Sequence, residues 1–187
     1  MNPGLTGYIG RHAGVMAGNE EERTMKEHII HPIPPFYGED SRILILGSFP
    51  SVKSREQMFF YGHPQNRFWK VIARVFEDEV PVTVPEKQVF LAKHHIALWD
   101  VIASCDIKGS SDSSIENVVA NDLSKILKTA DIRGIFVNGK TAEKYYRKYT
   151  ETETKRKAIC LPSTSPANAA WSLERLTAVW QDEIRAV

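Results

Sequence analysis

Residues Ile43 to Ser54 read ILILGSFPSVKS. Four aliphatic residues in succession, ended by a glycine, describe a strand covered on both faces that leaves its sheet through a sharp turn. Lys53-Ser54 stand where a nucleotide-binding loop carries its Lys-Ser pair. Such a loop needs a second glycine, because its backbone adopts conformations that a Cβ disfavours. Val52 holds that place, and its β-branched side chain fits poorly. Pro50 also removes one N–H from the would-be cradle. The stretch therefore reads as a buried strand and its exit turn, not as a triphosphate cradle.

The same logic extends along the chain. Arg42–Gly47, Ile96–Ile102, Ile132–Val137 and Lys157–Leu161 are expected as strands, with helical periodicity in between. One helix is expected from Asn66, carrying Phe68, Val71, Ile72 and Val75; another starts at Pro85-Glu86. Asn121-Asp122 can cap a third, Asn138-Gly139 turns into a fourth that runs through Tyr149, and Trp171 to Trp180 marks the last. Ser104–Ser114 reads as a polar loop. Alternating strands and helices imply parallel pairing. The expected fold is α/β, a four-stranded parallel sheet between helical layers. The expected organisation is a flexible arm over residues 1–27 and a single domain over 28–187.

The bulk numbers bound the function. A chain of 187 residues suffices for one domain with a sizeable core. A net charge of +1 means that any nucleic-acid binding must come from a local face. No run approaches the ~20 apolar residues of a membrane span, and the N-terminus lacks an apolar signal core, so a cytoplasmic protein is expected. Cys105 and Cys160 lie far apart and outside any Cys-x-x-Cys pair. They are expected to be buried thiols, with no metal and no cofactor.

In open parallel sheets, ligands bind beyond the carboxyl ends of the strands. The loops there carry unusual chemistry. FFYGHPQNRFWK, Phe59 to Lys70, packs five aromatic rings, a histidine and an asparagine into twelve residues. Aromatic rings suit a flat pocket for a base, and Arg67 and Lys70 could face phosphate, although Phe68 reads better as helix core. Asn66 could be a helix N-cap, a favoured place for Asn. His63 could act as an acid or merely shape a His-Pro turn. LPSTSPANA, Leu161 to Ala169, is a stiff, donor-rich loop after a strand. Lys140 opens a basic helix whose first N–H groups attract phosphate.

GSFPS, then YGHPQNRFWK, then LPSTSPANAAW resemble, in that order, the uracil-DNA glycosylase superfamily, and within it the hypoxanthine-DNA (deoxyinosine) glycosylase branch. The run Asn66 to Lys70 is also shared in kind with mismatch-specific uracil glycosylases. The resemblance covers about Pro32 to Trp180. It implies a three-layer α/β/α sandwich, in agreement with the reading above. It also implies a monofunctional glycosylase acting as a monomer on double-stranded DNA with a deaminated base. Mismatch-specific members carry an asparagine, and classical members an aspartate, where this chain has Phe49. By resemblance the water-positioning group moves to Asn66, whose amide oxygen can hold a water. Tyr61 takes the position that stacks on the flipped base, in a pocket with Gly47, Ser48, Phe49 and His63. Ser163, Thr164 and Ser165 would contact phosphate, with Lys140; Pro166, Ala167 and Asn168 would probe the minor groove. Two other readings stay open: uracil excision from mismatches, and a lesion-binding protein whose catalyst is lost, as Phe49 invites.

Overall fold

The computed structural model describes residues 25–187. Residues 1–24 of the expected arm lie outside the described residues; of its last three residues, Lys26 pairs with Glu116 and Glu27 begins strand β1 (Glu27–Ile30).

The central sheet is parallel, with strand order β3-β2-β6-β7. Its members are β2 (Ile43–Gly47), β3 (Ile96–Asp100), β6 (Gly134–Asn138) and β7 (Ile159–Leu161). Every residue of β2 is buried, as its uninterrupted aliphatic run requires. Alternate residues face opposite ways. Ile43 and Ile45 enter one core with Ile96, Leu98 and Phe136, while Leu44 and Leu46 enter the other with Ala97, Ile135 and Val137.

Helices α2 (Phe68–Val75), α3 (Val84–Lys93) and α7 (Leu173–Arg185) supply Phe68, Ile72, Leu91 and Trp180 to the first core. The second core is closed by α4 (Ser124–Thr129), α5 (Lys140–Tyr145) and a π-helical turn at Tyr146–Thr150 that leads into α6 (Glu151–Thr154). A short helix, α1 (Val52–Gln57), follows β2 and is capped by Ser51, whose Oγ accepts from Ser54 N–H. The result is the expected α/β architecture, three layers around four parallel strands.

The polar stretch after β3 is not a loop throughout. β4 (Ile102–Ile107) pairs antiparallel with β1 (Glu27–Ile30) on one side and β5 (Glu116–Ala120) on the other. This three-stranded sheet buries Ile102, Cys105 and Ile107 against the second core. The strand expected over Ile96–Ile102 is thus two strands. The chain leaves the parallel sheet at Asp100, and Val101 and Ile102 donate their N–H groups to Gly47 O and Ser48 O. Cys105 is buried, which pushes its thiol up to about 11, and Cys160 is half-buried; neither forms a disulfide.

Candidate active site

A cleft of about 550 Å³ opens at the carboxyl ends of the parallel strands. Gly47 and Asp100 end β2 and β3 opposite each other in the ladder, and Asn138 ends β6. Of the expected site residues, Gly47, Ser48, Phe49, Tyr61, His63, Asn66 and the run Ser163–Ala167 line this cleft. Lys140 and Asn168 do not.

Asn66 sits just before α2. Its Oδ1 accepts from Phe68 N–H at 3.0 Å and from the Thr164 hydroxyl at 2.9 Å. Thr164 Oγ1 in turn accepts from Asn138 Nδ2 at 2.9 Å, and Asn138 Oδ1 accepts from Thr164 N–H at 3.0 Å. Three loops from three strand ends therefore meet in one chain of amides and a hydroxyl. Two expectations change. Both lone pairs of the Asn66 amide oxygen are taken, so the group left for a water is Nδ2. Thr164 has no exposed surface, so its hydroxyl positions Asn66 and Asn138 instead of reaching phosphate.

Arg67 is a second correction. Its guanidinium donates to the backbone carbonyls of Thr164, Ser165, Asn168 and Trp171, and its own N–H donates to Thr164 O. Every contact ties the segment Thr164–Trp171 to the start of α2. Arg67 is a clamp and does not face phosphate. Asn168 helps from within the loop, donating Nδ2–H to Ser163 O at 2.9 Å. Pro166 and Ala167 are left exposed at the tip.

Tyr61 adopts a left-handed backbone (φ 52°), a conformation that costs a non-glycine residue roughly 1–3 kcal/mol. Its ring stacks on Phe68 with centroids 3.9 Å apart, so only the opposite face remains for a ligand. Its hydroxyl is buried and, among the described residues, has no partner. Burial first, and then the charge of Asp100, push the phenol's pKa far above its usual value. His63 Nδ1 accepts from Gln65 N–H at 3.2 Å, which gives the His-Pro turn its shape. Phe49 is buried with its ring edge-on to His31, 5.7 Å between centroids. Lys140 is strongly exposed and pairs with Glu143 at 2.7 Å.

Asp100, and Asn138 as a side chain, lay outside the sequence expectations; Asp112, from the polar stretch Ser104–Ser114, also lines the cleft. Asp112 accepts from Ser48 Oγ at 3.2 and 3.3 Å. Although exposed at the cleft rim, its carboxyl is crowded by the surrounding loops, and this desolvation raises its pKa above the ordinary range. Asp100 was hidden because the apolar run from Ile96 to Ile102 reads as one strand. Its signal was the strand-end position itself, where such sheets place their ligands.

The profile of the Uracil DNA glycosylase superfamily matches residues 34–183. A protein of Methanosarcina acetivorans named hypoxanthine DNA glycosylase is 35% identical over 146 residues, covering 76% of this chain and 90% of that one. One of the same name from Methanosarcina barkeri is 32% identical over 114 residues, covering 60% and 72%. A solution NMR structure from Methanosarcina acetivorans, described as a candidate uracil DNA glycosylase, superposes with a TM-score of 0.69 at 30% identity over 82% of this chain and 98% of that one. The matched segment spans the whole parallel sheet and all three cleft loops, and the chain belongs to the uracil-DNA glycosylase superfamily.

Proposed function

We propose that the protein is a monofunctional DNA glycosylase that hydrolyses the N-glycosidic bond of deoxyinosine in duplex DNA. The observation that carries this reading is the placement of Asn66. By resemblance to the mismatch-specific and classical members of the superfamily, the first-loop position of a water-positioning side chain is here Phe49, packed against His31. Across the same cleft, Asn66 is fixed by Phe68 N–H and Thr164, and among the described residues its Nδ2 has no partner. The names carried by the Methanosarcina relatives support hypoxanthine as the base.

Extracting the base from the stack costs roughly a few kcal/mol. Cleavage then passes through a cation-like sugar. The C1′–N9 bond breaks with its electron pair on the base. Asn66 Nδ2 donates to one lone pair of a water, another lone pair closes on the anomeric carbon, and the proton that the water sheds neutralises the departing hypoxanthine. A cation so electrophilic needs an oriented nucleophile more than a strong base. Tyr61, backed by Phe68, stacks on the flipped base. Ser163 and Ser165 meet backbone phosphate, Pro166 and Ala167 enter the minor groove at the gap, and Lys140 adds an outlying cation. The protein acts as a monomer in the cytoplasm.

Duplexes with hypoxanthine, uracil or xanthine, incubated with the protein and then treated with alkali, test the reading. Hypoxanthine-containing strands should be nicked, and Asn66→Ala should slow release by ~10²-fold or more with DNA binding kept. Nicking confined to uracil mismatches would make it a mismatch-specific uracil glycosylase. Binding without nicking of any strand would make it a lesion-binding protein.

A further inference from the structure

Asp100 is a buried carboxylate at the floor of the cleft, its side chain 6% exposed. Oδ2 accepts from His31 Nε2 at 2.8 Å; among the described residues, Oδ1 has no hydrogen-bond partner. Oδ1 lies directly over Gly47, where an added Cβ would come within 2.2 Å of it. The glycine is thus needed for the carboxylate to occupy this place. Asp100 lines the cleft, and its free oxygen is open to a donor that arrives with a ligand.

His31 fixes what Asp100 can do. Its side chain is 3% exposed and its ring lies edge-on to Phe49 and Trp99. Its Nδ1 accepts from Ile33 N–H at 3.2 Å, so the ring proton sits on Nε2 and is donated to Asp100. The imidazole therefore holds Oδ2 and leaves Oδ1 as a pure acceptor.

We propose that Asp100 Oδ1 accepts the ring N–H of the flipped lactam base, with His31 as its positioning residue. This rests on the glycosylase reading above and names what the pocket selects. Hypoxanthine presents N1–H. Adenine presents a lone pair at the same atom, which a carboxylate repels. Deamination converts that atom from acceptor to donor, so one oxygen tells the damaged base from its parent.

The test exploits the His31 tautomer. In Asp100→Asn, a nearly isosteric change, the amide oxygen must face the Nε2–H donor, and the NH₂ group turns to the cleft. The cleft-facing group changes from acceptor to donor. Wild type, Asp100→Asn, His31→Phe and His31→Gln are titrated on duplexes carrying hypoxanthine or unsubstituted purine, which keeps adenine's N1 lone pair. Base release is followed in parallel. Wild type should prefer hypoxanthine. Asp100→Asn should lose about 10²-fold of that preference, since a site built to bond an N–H discriminates strongly. His31→Phe should lose part of it, and His31→Gln, which keeps a donor, should recover most of that part. Asp100→Asn weakening both duplexes by the same factor would overturn the proposal. Absence of base release by wild type would sink the glycosylase reading alone, because the binding preference still decides the role of Asp100.

Discussion

Thr164 donates its hydroxyl to Asn66 and accepts from Asn138, with no surface of its own exposed. Thr164→Val keeps the branched shape and removes both bonds. It should destabilise the fold by about 1–3 kcal/mol, the usual effect of leaving buried polar partners unpaired. It should also slow base release, because Asn66 then loses one of its two anchors; Thr164→Ser should restore both. Thermal denaturation and single-turnover kinetics check the pair. Tyr61 gives the opposite sign. Its buried hydroxyl satisfies nothing within the described fold. Tyr61→Phe should therefore raise stability by about 1 kcal/mol in denaturant titrations. Base release should slow in the same variant if the hydroxyl serves only the complex. The stacking role of Tyr61 was read by resemblance, but the inward task of Thr164 was not legible in the sequence. Thr164 reads as one more donor in a Ser-Thr-Pro loop, and only the folded chain shows that it points inward.

Among the elements, those read correctly from sequence are the ones whose burial dominates their composition. β2 is aliphatic throughout, and α2 carries Phe68, Val71, Ile72 and Val75 on its buried side. The small antiparallel sheet escaped because β1 and β5 are largely exposed, and β4 alternates buried residues with Ser and Asp. Its pairing of His28 with Asp106 joins residues that no local window contains. The same separation explains Arg67, whose partners lie about a hundred positions away. It was expected at phosphate because a cation between aromatic residues suggests that. Its planar fork instead reaches several carbonyls at once, and Lys lacks this geometry. Arg67→Lys should cost about 2 kcal/mol of stability. It should raise amide exchange across residues 163–171 and weaken lesion binding, with the β2–β3 core unchanged. Hydrogen exchange resolves whether the loss is local; uniform loss of protection over the whole domain would assign Arg67 to global folding instead.

At the scale of the whole molecule, the cleft is poor in positive charge. Among the described residues, no Lys or Arg lines it, whereas Asp100 and Asp112 do. Asp112 has its pKa raised, chiefly by desolvation. A carboxyl raised in the fold binds its proton more tightly there than in the unfolded chain. Its contribution to stability therefore falls as pH climbs from ~4, the ordinary carboxylate value, through the raised value. DNA binding should weaken over the same window, as an anion forms beside phosphate. Asp112→Asn should flatten that pH dependence and tighten binding to undamaged duplex at neutral pH. The salt dependence follows from the same charge distribution. Each cationic contact to duplex phosphate contributes about 0.9 to the slope of log K against log salt. The chain carries a net charge of only +1, and Lys140 is already paired with Glu143. Ser163, Ser165 and the loop backbone are neutral donors and release no counterions. The slope should then lie below about 3. Lys140→Ala should lower it by less than one contact's worth and weaken damaged and undamaged duplexes alike. A slope of 6 or more, which would need roughly seven cationic contacts, would mean that DNA engages a basic surface well beyond the cleft, of which the exposed Lys144, Arg147 and Lys148 would be only a part.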